Sequence, residues 1–180
     1  LTGGLIVTHH GHTLPLDHVE IVEAGHPLPD ESSLAAATRM LDAVGRPSGN
    51  DLIIAVISGG GSTLLTLPAP GISLSDLQAV NKLLLLSGAD IHQINSVRKH
   101  LSQVKGGKLA RRLYPAHVVA LLLSDVVGND ASVIASGPLS PDRSTFAQVW
   151  ETLGEFRLRS KLPKEARAHL QRGLRGEIAE

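Results

Sequence analysis

Asp51-Leu-Ile-Ile-Ala-Val-Ile-Ser-Gly-Gly-Gly-Ser-Thr63 is the stretch from which the rest of the chain is read. The apolar run Leu52 to Ile57 lies between a charge and three glycines, the pattern of a strand buried on both faces that ends in an abrupt turn. Glycine accepts positive φ and keeps Cβ atoms away, so Ser58, Gly59, Gly60, Gly61 and Ser62 can aim successive backbone N–H groups at one point. A helix opening at Ser62 or Thr63 would direct its dipole there too. The same residues also suit a plain strand-to-helix connection with no ligand, and this stretch alone leaves both readings open.

Outward from it, the chain reads as strands alternating with helices. Gly4 to His9 and Val19 to Glu23 are short β-branched strands. His9, His10 and His12 follow strand spacing, which turns neighbours to opposite faces, so a structural or solvent-facing role is expected of them over metal ligation. Ala24 to Asp30 is a loop stiffened by Pro27 and Pro29, with Asp30 placed to cap a helix over Glu31 to Val44. Ser73 and Asp76 form a capping-box signature for a helix through Leu86. Ile91, Ile94, Val97 and Leu101 give a helical period to a segment crowded with polar groups, and Gly106-Gly107 precedes a short basic helix. His117 to Asp125 is the second apolar strand, and helices are expected near Ser144 to Phe156 and Pro163 to Gly173. Apolar strands alternating with helices predict an α/β fold with a parallel sheet and helices on both faces.

Composition narrows the function classes. The 180 residues make room for a domain with a proper core, and aliphatic side chains must fill it because aromatic residues are only 2%. Seventeen basic and seventeen acidic residues, with no block of like charge, argue against nucleic acid and membrane-surface partners. The lack of cysteine excludes disulfides and thiolate metal sites. The apolar runs are too short to span a bilayer, and the start lacks the marks of a signal peptide, so a soluble cytoplasmic protein is expected. A first residue of Leu, not Met, suggests a piece of something longer.

Ligands of open parallel sheets bind beyond the carboxyl ends of strands. Both apolar strands end in polar groups there, Ser58 to Ser62 and Ser124-Asp125. If the two strands are neighbours, the glycine turn and Asp125 share a cleft suited to a polyphosphate with a divalent cation, and Asp130 is a second candidate metal ligand. Both aspartates also suit turn capping, and that reading stays open. Arg98, Lys99, Lys105 and Lys108 lie in adjoining Gly- or Asn-marked segments, and Lys105 before Gly106-Gly107 could add its charge to the amides holding phosphate or carboxylate. Neither G-x-x-x-x-G-K-[ST] nor G-x-G-x-x-G stands between a strand and a helix, which disfavours a P-loop or an ordinary NAD site.

Taken together, Gly25-His-Pro-Leu-Pro-Asp30, Ser58 to Ser62, Asn95-Ser-Val-Arg-Lys-His-Leu-Ser102 with Lys105 to Gly107, and Ser124-Asp-Val126 through Ile134-Ala-Ser-Gly-Pro138 occur in the order found in type II glycerate kinases. The chain resembles that glycerate 2-kinase family, whose members carry a C-terminal MOFRL domain and are often labelled hydroxypyruvate reductase. The resemblance implies a Rossmann-like N-terminal domain and Mg2+- and ATP-dependent phosphorylation of D-glycerate to 2-phosphoglycerate, with a homodimer as candidate assembly. Residues 1–142 would form the α/β core, and 143–180 a helical extension or connector toward a second domain. Ser58, Gly59, Gly60, Gly61, Ser62, Asn95, Arg98, Lys99, Gly106 and Gly107 would bind substrate and nucleotide, Lys105 and Asp125 would serve catalysis, and Asp125 and Asp130 would hold the metal. Asn129 and Leu139 depart from the family pattern, where an acid and a threonine are usual. Family members are more than twice this length and place a catalytic lysine and an active-site arginine outside the matched stretch, so little activity is expected of this chain alone. An NAD(P)H-dependent hydroxypyruvate reductase and a non-catalytic ligand-binding module are the competing readings.

Overall fold

A computed structural model describes residues 2–180. Among these residues four strands and seven helices follow in order: β1 Leu5–His9, β2 Glu20–Ala24, α1 Glu31–Val44, β3 Leu52–Ile57, α2 Gly61–Leu64, α3 Leu74–Leu85, α4 Ile91–His100, α5 Lys108–Leu113, β4 His117–Leu122, α6 Phe146–Glu155 and α7 Lys164–Leu174. A 3-10 turn covers Ile134–Ser136. Among the described residues the strands pair in parallel, β1 with β2 through a connection without a helix, and β3 with β4 across α2 to α5. No helix among the described residues is long and apolar enough to cross a membrane.

The two expected caps, Asp30 and Ser73, form reciprocal capping boxes at the heads of α1 and α3, and Asp90 and Thr145, not singled out in the sequence, do the same at α4 and α6. Gly25 is required beside the first of these, because a Cβ there would lie 2.6 Å from the Asp30 carboxyl carbon. Asp30 Oδ1 accepts from Gly25 N at 3.1 Å and Ser33 N at 3.0 Å, and Gln78 of α3 donates to Pro29 O at 2.7 Å, so the loop between β2 and α1 is pinned from both sides.

Two expectations change. The strands form two separate two-stranded sheets, not one. Nor is β3 buried on both faces: Leu52, Ile54 and Val56 are 64%, 58% and 74% exposed, and every residue of β4 is exposed. A run of six apolar residues records that a strand needs cover, not what covers it, and a pair of strands leaves two open edges and an open face. The core lies instead among helices, where Val80 and Leu84 of α3, Val97 of α4, Val149 and Leu153 of α6, and Leu170 of α7 are fully buried. Each such side chain contributes about 1.5–3 kcal/mol. Helices α6 and α7, beyond residue 142, pack into the same core as α3 and α4.

A Cβ on Gly173 of α7 would overlap the Phe146 ring of α6. Alanine gains roughly 1 kcal/mol of helix propensity over glycine, but the overlap outweighs it, and Gly173→Ala should lower unfolding free energy by about 1–3 kcal/mol in denaturant titration. The bare β3–β4 face should make the 180-residue chain bind a fluorescent apolar dye and self-associate. Ile54→Thr with Val56→Thr should reduce both in dye titration and sedimentation, and unchanged behaviour would clear this face of the effect.

Candidate functional site

The β3–β4 register builds the site. Ile57 lies opposite Leu122, and Leu123 N donates to Ile57 O at 2.8 Å, so Ser58-Gly59 and Ser124-Asp125 emerge side by side from the same end of the pair. Asp125 consequently lies against Gly59, where any Cβ would overlap its carboxylate. Gly60, at φ +80°, faces the ring of His26, whose Cδ2 and Nε2 would each be 3.0 Å from a Cβ. Gly61 abuts Ala135, with 2.9 Å left between a Cβ and that methyl. Each glycine is therefore bare because something occupies its side-chain space, and two of the three neighbours carry ionisable groups.

The N–H groups of Gly59, Gly60 and Ser62 donate to no protein acceptor among the described residues, while Thr63 N and Leu64 N close the turn onto Gly60 O. Asp125 is exposed beside this set of free donors. The expected meeting of the glycine turn with Asp125 is thus present in the geometry. A single carboxylate fits a magnesium ion that arrives with a nucleotide, since Mg2+ takes one or two protein carboxylates and fills its octahedron with phosphate oxygens and water.

Lys105 works from behind the turn. It is 4% exposed, and its Nζ donates to Ser62 O at 2.6 Å and Leu65 O at 3.1 Å, so it fastens the far end of α2 and does not face open solvent. Burial, with the Arg98 charge beside it, pulls its pKa from 10.5 down to about 7. Arg98 donates Nε–H to Asn81 Oδ1 at 2.9 Å and shares with Lys105 an inner void of about 20 Å³. Gly106 and Gly107 N–H groups, expected at a phosphate, instead donate to Ser136 O at 3.1 Å and Gly137 O at 2.8 Å. Lys108 caps the C-terminal end of α4 through Lys99 O at 2.7 Å and Ser102 O at 2.8 Å.

Sequence reasoning assigned no role to three residues the geometry brings forward. His26 sits on the glycine turn, and its only sequence mark is a place between a glycine and a proline. Ala135 and Ser136 both have left-handed backbone, φ +51° and +61°, unusual for non-glycine residues. Ser136 Oγ donates to Asn95 Oδ1 at 3.0 Å, so the 2.8 Å contact between Ser62 and Ser136 hydroxyls runs from Ser62 to Ser136. This two-bond chain ties the glycine turn to α4 and commits the Ser62 hydroxyl.

On α4, Asn95 and Lys99 line a separate cleft of about 440 Å³, closed by the loops around residues 130–133 and 140–144. Asp130 belongs to this cleft, not to the glycine turn. Its Oδ1 accepts from Ser132 N at 2.8 Å, the turn-capping role, and that bond first among several effects holds its pKa below the ordinary carboxylate value. No group of three His, Asp or Glu side chains arranged to hold a metal forms among the described residues. The expected residues therefore divide between a turn bearing Ser58 to Ser62 with Asp125, a buried support of Lys105 and Arg98, and a cleft with Asn95, Lys99 and Asp130.

The chain is 47% identical over 98% of its length to a protein of Pyrococcus horikoshii named glycerate 2-kinase. It is 50% identical over 85% of its length to a D-glycerate 2-kinase of Thermotoga maritima. A relative from Agrobacterium vitis, 48% identical over 94% of this chain, bears the name of a hydroxypyruvate reductase. Among solved structures, a Pyrococcus horikoshii protein superposes with a TM-score of 0.94 at 46% identity, covering 98% of this chain and 40% of that one. This chain spans 40% of the length of the Pyrococcus relative and 37% of the Thermotoga one. The resemblance carried by the motifs is matched by relatives bearing that family's name. The family described as "Domain of unknown function (DUF4147)" matches residues 1–171, and the chain belongs to it.

Proposed function

We infer that this chain supplies the phosphate-holding part of an enzyme that transfers the terminal phosphoryl group of ATP to D-glycerate, giving 2-phosphoglycerate. The observation that carries the reading is the Asp125 carboxylate packed on Gly59 beside the unused N–H groups of Gly59, Gly60 and Ser62. Preorganised backbone donors cost no reorganisation as charge shifts onto phosphate oxygens, and that is where phosphoryl transfer gains most. The glycerate hydroxyl oxygen attacks the γ-phosphorus, its proton is released to water, the bond to the bridging oxygen breaks, and ADP leaves with the electron pair. Asp125 would hold the nucleotide's Mg2+, which supplies charge neutralisation. Lys105 acts as a positioning residue, fixing the two carbonyls that set the pitch of the turn. The kinase names of relatives at 47% and 50% identity support the same reading.

The full gene product should release ADP from MgATP only when D-glycerate is present, in a coupled spectrophotometric assay. Consumption of NADH with hydroxypyruvate, without glycerate-dependent ADP release, would replace the kinase with the reductase.

A further inference from the structure

The 440 Å³ cleft on α4 is lined by none of the glycine-turn residues. His92, Asn95 and Lys99 come from one face of α4, at the spacing that stacks side chains along a helix. Asn95 is 3% exposed; its oxygen is used by Ser136, while its Nδ2 donates to no protein acceptor among the described residues. No fully enclosed side-chain nitrogen or oxygen lacks a partner among the described residues, so this amide reaches open space, and the cleft is what it lines. Asp142 is already satisfied by Ser144 N at 3.1 Å, Ser144 Oγ at 2.8 Å and Lys99 Nζ at 3.5 Å. Arg143, in contrast, lines the cleft with no ion pair or hydrogen bond among the described residues, and one oxygen of Asp130 is likewise unused. The free groups thus comprise a guanidinium, a carboxamide N–H pair and a carboxylate oxygen.

That set is complementary to a short hydroxy acid. A planar carboxylate matches the fork of an arginine, and a neighbouring hydroxyl can donate to a carboxylate oxygen and accept from an amide. We propose that this cleft is the hydroxy-acid site of the enzyme: Arg143 takes the carboxylate, and Asp130 and Asn95 read the hydroxyl groups. The hydrogen-bond chain from Asn95 through Ser136 to Ser62 joins this site to the glycine turn. The proposal rests on the kinase reading for its substrate class and adds where the acid is held and by which residues.

The test uses the full gene product and its Arg143→Gln and Asp130→Asn variants. Arg143 is exposed, and asparagine at 130 keeps an oxygen for Ser132 N, so both variants should fold. Michaelis constants are measured separately for D-glycerate and MgATP, and thermal shift is measured with D-glycerate alone. Arg143→Gln should raise KM for glycerate at least about tenfold with that for MgATP unchanged, and Asp130→Asn should lower kcat/KM for glycerate by a similar factor. Protection by glycerate in the thermal shift should disappear in Arg143→Gln. A raised KM for MgATP with glycerate unaffected would give the cleft to the nucleotide, and no change in either would leave it without a substrate; both overturn the proposal. A wild type that turns over no glycerate, yet is protected by it through Arg143, would keep the acid site and sink the kinase reading. A wild type with neither turnover nor protection would sink both.

Discussion

Gly59→Ala is expected to cut glycerate-dependent ADP release by about 100-fold in the full gene product, a loss of the order that a displacement near 1 Å at a reacting centre produces. Gly59 does not have the left-handed backbone that penalises alanine, so the added methyl acts through what it strikes, the Asp125 carboxylate. Asp125→Asn should reproduce most of the loss without the steric change. Gly60→Ala is a less specific probe, because φ of +80° strains any side chain there and the methyl also presses on His26. Folding stability of Gly59→Ala should change little, since Asp125 is exposed and can turn outward. Turnover within a few-fold of wild type, with the protein folded, would show that Asp125 and the glycine turn do not share a reaction centre.

The second large effect is on stability, and it depends on pH. Lys105→Met keeps the length of the side chain but removes both donors to Ser62 O and Leu65 O. Leu65 O, half-buried, is left without a donor and Ser62 O keeps only the longer 3.3 Å bond from Thr66 Oγ1, a cost of about 1–3 kcal/mol. Set against this is the cost of holding the amine neutral in the fold, pKa about 7, when the unfolded chain would charge it up to about 10.5. Between those values the unfolded state binds more protons, so wild-type stability rises with pH by up to about 1.4 kcal/mol per unit. The contribution is complete above about 10.5 and is lost as pH falls to about 7. The neutral amine has two N–H bonds for its two carbonyl partners, so deprotonation leaves the hydrogen bonds intact. Lys105→Met should therefore be least stable relative to wild type above pH 10, and the gap should close toward pH 7, in denaturant titrations across that range. A pH-independent difference would mean that Lys105 stays charged within the fold.

Local signals in the sequence proved sound where the physics is local. Asp30 and Ser73 with Asp76 announce helix starts through bonds made within three residues, and the structure contains them. Parallel pairing of β3 and β4 was legible from two apolar runs separated by helices, and with it the approach of Asp125 to the glycine turn. Burial was not, because six apolar residues from Leu52 to Ile57 show only that a strand suits an interior. The division of the basic residues was hidden for a related reason. Lys99 and Arg98 are neighbours in sequence but about 100° apart around α4, so one lines the cleft while the other joins Lys105 in an inner void. His26 and Arg143 escaped notice because their importance lies in what the loops fold against, and neither loop advertises that in its own residues.

The central claim is that phosphate is held by the turn from Gly59 to Ser62 with its metal on Asp125. The most direct measurement is a titration of MgADP into the isotopically labelled full gene product, following backbone amide resonances by NMR. The amides of Gly59, Gly60 and Ser62 should shift furthest, and Asp125→Asn should weaken their response to MgADP more than their response to ADP without metal. Saturating shifts that leave these three amides unmoved would contradict the account and place the nucleotide elsewhere.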